Sequence, residues 1–80
     1  MQFDEFLFED LKTEFFKRLV RHSLLVGEER IPYYIAFIIG REMKLDKNLI
    51  REILIDLHRD GLIELDGNGK IILNLSDKSF

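Results

Sequence analysis

No cysteine occurs in this chain, which excludes a disulfide framework and a thiolate metal site and leaves packing alone to hold the core. Proline occurs once, at Pro32, and neither proline nor glycine interrupts the stretch from Asp4 to Leu25. No apolar run reaches bilayer length: the longest, Ile31 to Gly40, is about half of the roughly 20 residues that a spanning helix needs. The start, Met1-Gln2-Phe3-Asp4-Glu5, is acidic and lacks the basic opening of a signal peptide, so a cytoplasmic protein with no membrane span is expected. Basic charge is also in deficit, with 12 Lys and Arg against 15 Asp and Glu and a net charge of -3. Affinity for nucleic acid comes largely from cations that displace counterions at phosphates, so the overall balance works against it.

What is present is enough apolar material, 46% of 80 residues, for one small core. The expectation is therefore a single domain spanning 1–80. Glutamine occurs once, isoleucine is abundant, and Glu, Lys and Arg supply most of the polar surface, a balance found in heat-adapted proteins. Phe3, Leu7, Leu11, Phe15 and Leu19 recur at four-residue steps, which predicts a long first helix within 1–26. Its acids, Asp4, Glu5, Glu9 and Asp10, precede its bases, Lys17, Arg18 and Arg21, in the sense the helix dipole favours. Pro32 suits the first turn of a second helix running to about Met43. Asp46 suits the cap of a third, whose apolar face is Ile50, Ile53, Leu54 and Leu57 and whose stop is Gly61. Leu62–Leu65 and Ile71–Leu75 read as strands around Asp66-Gly67-Asn68-Gly69, a strong hairpin signal. Residues 76–80 read as a tail.

The segment Asp46-Lys47-Asn48-Leu49-Ile50-Arg51-Glu52-Ile53-Leu54-Ile55-Asp56-Leu57-His58-Arg59-Asp60-Gly61-Leu62-Ile63 resembles the recognition helix and first wing strand of the winged helix-turn-helix family. The resemblance covers about residues 9–75. It implies an α+β, mainly α fold of three helices and a short β-hairpin wing, with helix-turn-helix and wing in 30–75. It also implies that Ala36 is the small residue at the contact of helices 2 and 3, and that Arg30-Ile31 is a short strand pairing with the hairpin. Members of that family include transcription regulators, replication and polymerase subunits, and modules that bind only protein.

On a helical projection, the face opposite the apolar stripe of helix 3 carries Asn48, Arg51, Glu52, Ile55 and Arg59. Lys47, Arg51 and His58 follow one flank, and Glu52, Asp56 and Asp60 the other. That segregation suggests a partner with an oriented charge, and the leading expectation is a transcription regulator bound to double-stranded DNA. Arg51 matches guanine, Asn48 adenine and Ile55 a thymine methyl, with Lys44, Lys47, Arg59, Asn68 and Lys70 as further contacts. The alternative is a protein-interaction module in a replication, transcription or membrane-remodelling assembly, favoured by the acidic charge, Glu52 and Ile55. Phe6, Phe8, Phe16 and Val20 exceed what one stripe of helix 1 uses, which suggests a homodimer across that helix. The competing arrangement has helix 1 wrapping helix 2 and burying the same rings internally. His22 and His58 lack metal-spaced partners and no cofactor or catalytic motif is recognisable, so no metal, cofactor or enzymatic activity is expected.

Overall fold

A computed structural model describes residues 5–74, with side chains from Leu7 onward. The Phe6 side chain, Leu75 and the tail at 76–80 lie outside that description. Among the described residues, three helices and a three-stranded antiparallel sheet form an α+β fold that is mainly helical: α1 (Glu5–Val26), β1 (Arg30–Pro32), α2 (Tyr33–Glu42), α3 (Lys47–Arg59), β2 (Ile63–Asp66) and β3 (Lys70–Leu73). None of these helices is long and apolar enough to cross a membrane.

The sheet order is β1-β3-β2. Ile31 of β1 stands opposite Ile71, as the short pairing strand requires, and Pro32 stands opposite Lys70. Proline has no N–H for a ladder, and an edge strand is where that omission is tolerated. Pro32 also caps α2, which starts at Tyr33, one residue later than the sequence suggests. In the hairpin, Asp66 faces Lys70 and Ile63 faces Leu73, so β3 begins one residue earlier than expected.

The core joins all six elements. Ile50, Ile53, Leu54 and Leu57 of α3 are buried, and they meet Phe15, Phe16 and Leu19 of α1, Ala36 and Ile39 of α2, and Ile31, Ile63, Ile71 and Leu73 of the sheet. Helix 1 corrects one expectation. Phe16 is only 8% exposed, and Phe8 and Val20 rest partly buried against the same cluster, so the chain itself covers Phe16 and part of Phe8 and Val20. Leu7, placed on the buried stripe by the four-residue pattern, is instead 51% exposed.

Ala36 is fully buried in α2, and one turn later Gly40 lies close against α3. A Cβ added at Gly40 would overlap Cδ1 and Cγ1 of Ile50, and Ile50 is itself buried and β-branched, with little freedom to turn away. Gly40→Ala is therefore expected to lower stability by about 1–3 kcal/mol, although alanine is favoured over glycine by up to about 1 kcal/mol in a helix. Urea denaturation of Gly40→Ala, Ile50→Val and the double variant checks this. The double variant should lose less than the sum of the singles, and additive losses would show that the two residues do not press on each other.

Candidate nucleic-acid interface

The turn that aims α3 is built by the backbone. α1 and α3 each end on a glycine in the left-handed region, Gly27 (φ 75) and Gly61 (φ 78), whereas α2 ends on Lys44 (φ 65) in the same conformation. The Lys44 amide donates to the Arg41 carbonyl (2.9 Å) and the Leu45 amide reaches back to Gly40 (2.9 Å). Leu45 then drops into the core, and the next residue, Asp46, accepts a hydrogen bond from the Leu49 amide at 2.8 Å. This satisfies one of the free donors at the start of α3. A side chain in the left-handed region costs about 1–2 kcal/mol, which the surrounding turn must supply.

On α3, Lys47, Asn48, Arg51, Glu52, Ile55, His58 and Arg59 are exposed. Two grooves meet at Arg51. One, of about 580 Å³, runs between α2 and α3 and joins Phe37, Arg41, Leu45, Asp46, Lys47, Ile50 and Arg51. The other, of about 310 Å³, joins Arg51 to Tyr33, Phe37, Leu54, Ile55 and Leu65. Asn48 and Glu52 line a further depression with Leu49 and the same Asp46. Lys47 and Arg51 thus stand together with Arg41, which the sequence reading had not singled out, while Glu52 stands apart from them.

The acidic flank of α3 has its explanation inside the chain. Lys12 of α1 is 7% exposed, and its ammonium meets Asp56 at 2.8 Å, Asp60 at 2.9 Å and Glu9 at 3.3 Å, with the Phe8 ring centroid 6.0 Å away. Burial by itself lowers the Lys12 pKa, but hydrogen bonds to Asp56, Asp60 and Glu9 outweigh it and raise the group above its ordinary 10.5. The Lys12 hydrogen bond in turn holds Asp56 below its ordinary 3.8, against a smaller opposing effect of burial. Asp56 and Asp60 are therefore engaged within the chain, whereas Glu52, the third acid of that flank, is exposed and lies outside this set. Arg59 is drawn to the same cluster, donating to Asp56 at 2.9 Å.

The remaining candidates lie on the hairpin. Asn68 is exposed at the tip, where its amide donates to the Asp66 side chain at 3.1 Å. Lys70 opens β3 and is half-buried. Tyr33 ties this hairpin to α2: its amide donates to the Gly69 carbonyl (3.1 Å) and its hydroxyl to the Asp66 carbonyl (3.3 Å). Among the described residues, Arg41, Lys44, Lys47, Arg51 and Lys70 have no ion-pair partner. No family model, curated protein or solved structure matches the chain, so the functional reading rests on this geometry.

Two outcomes follow for stability. The raised Lys12 pKa stabilises fully below 10.5 and is lost as pH rises through the elevated value. The lowered Asp56 pKa stabilises fully above 3.8 and is lost as pH falls through the depressed value, so both contributions are intact at neutrality. Lys12→Met should then be destabilised at pH 7, with the deficit shrinking as pH falls below 3.8 and through the depressed Asp56 value. A urea-midpoint deficit that stays constant across that range would mean that Lys12 acts through its aliphatic stem alone. Separately, Lys44→Gly should raise stability by about 0.5–1 kcal/mol, since relief of the left-handed conformation exceeds the extra entropy of an unfolded glycine. A lower thermal midpoint for Lys44→Gly would contradict the strain.

Proposed function

We propose that this chain is a winged-helix domain that binds double-stranded DNA, as a regulator does, with α3 in the major groove. The order helix, strand, helix, helix, strand, strand supports the winged-helix reading, as does the pairing of β1 with β3. The observation that carries DNA binding is the division of α3. Asp56 and Asp60 on one flank are engaged by the buried Lys12, while Lys47 and Arg51 on the other are exposed without an ion partner among the described residues. Cations left unpaired on a projecting helix are available to phosphates and to guanine edges. In this reading Arg51 reads a base. Lys44, Lys47 and Arg41 hold phosphates around the helix start, and Ile55 meets a thymine methyl. Arg59 contributes less because Asp56 already holds it, and the short hairpin offers Asn68 and Lys70 as minor contacts.

A second reading has its own support. The groove formed by Tyr33, Phe37, Leu54, Ile55 and Leu65 is largely apolar and opens beside Arg51, which suits the side chain of a protein partner better than a phosphate.

Fluorescence anisotropy with a random duplex separates the two, because phosphate contacts make affinity fall steeply between about 50 and 200 mM salt. On a selected sequence, Arg51→Ala should lose about 1–3 kcal/mol and relax preference at one base pair. Lys47→Ala should weaken all sequences alike and reduce the salt slope by about one. Absence of binding to any duplex at about 50 mM salt would overturn DNA binding in favour of the apolar groove.

A further inference from the structure

The outer side of α1 is unclaimed by the fold among the described residues. α1 packs on α2, α3 and β1 through its buried side, and the opposite side carries Leu7, Asp10, Glu14, Lys17, Arg21 and Leu24. Those six positions follow one another at alternating steps of three and four, the spacing that aligns residues along one helical stripe. Leu7 is 51% and Leu24 is 72% exposed, Asp10, Lys17 and Arg21 are exposed, and Glu14 is half-buried. Glu14 accepts from Arg18 of its own helix through Oε2 at 2.9 Å. That bond steadies the carboxylate and leaves Oε1 for another donor.

We infer that this stripe binds a second copy of the same chain, with the two α1 helices antiparallel. The order along the stripe is leucine, acid, acid, base, base, leucine, and it is complementary to its own reverse. An antiparallel copy sets Leu7 against Leu24, Asp10 against Arg21 and Glu14 against Lys17, each twice about the two-fold axis. A parallel copy sets each charge against its like, which is repulsive, so charge alone selects the antiparallel arrangement. Apolar contact is confined to the two ends and the central pairs are solvated. The homodimer is therefore weak and salt-sensitive.

Sedimentation equilibrium of the full chain at low salt, from about 10 to 500 μM, tests this across the range where a dimer with a dissociation constant near 100 μM changes population. Wild type should approach twice the chain mass and return toward one chain at about 500 mM salt. Asp10→Lys with Glu14→Lys makes the stripe wholly basic, and Lys17→Glu with Arg21→Glu makes it wholly acidic. Each variant alone should associate at least tenfold more weakly than wild type. Mixed together they should pair, and the chain carrying all four changes should dimerise again, which separates loss of the seam from loss of folding. A wild type that stays monomeric at about 500 μM in low salt overturns the inference, as does a dimer indifferent to these charge changes.

Discussion

The arrangement of this molecule turns on one ammonium group. Lys12 is buried on α1 at the place where α3 passes, and Asp56, Asp60 and Glu9 close around it. A buried charge that lost these carboxylates would face an uncompensated desolvation cost, so α1 and α3 are held in the register that keeps the set together. The same ammonium lies 6.0 Å from the centroid of the Phe8 ring, within reach of a cation–π contact. Net stabilisation from such a cluster is modest. What it specifies is which flank of α3 turns inward, and hence which flank is left outside.

Backbone geometry completes that orientation from the other end of α3. Gly40 lets α2 and α3 approach until Ile50 lies against the α2 backbone, and Lys44 then turns the chain in a conformation that the other two helices reserve for glycine. A non-glycine residue in that region persists where the surroundings over-determine it. Here the reach-back from Leu45 to Gly40 and the Asp46 cap do so. The result places a lysine at the corner from which α3 projects, just before the helix opens at Lys47.

Elements whose signal is local were legible in the sequence. The apolar face of α3, its Asp46 cap and Gly61 stop stand where expected, and the hairpin forms with its strands displaced by one residue; the short strand at Arg30-Ile31, which only the family resemblance implied, is also present. The first helix was legible as a helix, and Leu11, Phe15 and Leu19 face the core as the stripe predicts, but Leu7 does not. Residues four apart advance about 40° around the axis at each step, so a run of Phe3, Leu7, Leu11, Phe15 and Leu19 winds across the surface instead of marking one side. The true inner side is the band of Phe8, Lys12, Phe15, Phe16, Leu19 and Ser23, which leaves Leu7 outside and brings Phe16 in. A lone lysine among apolar rings reads as a surface residue, and its three acids include two that lie more than 40 positions away. No spacing rule could have linked Lys12 to Asp56. The sign pattern along α3 was visible in the sequence, while its cause was not.

That cause also resolves the conflict between an acidic chain and a proposed nucleic-acid partner. What a phosphate meets is the local field within about a Debye length, roughly 8–10 Å, rather than the net charge of the whole chain. Two of the acids on α3 are turned toward α1 and neutralised there, and Arg18 on the outer side of α1 likewise engages Glu14. The cations beside the α2–α3 turn have no such counterpart among the described residues. The pairing of first helices proposed above would give the acidic residues early in α1 a task that does not oppose the basic ones on α3.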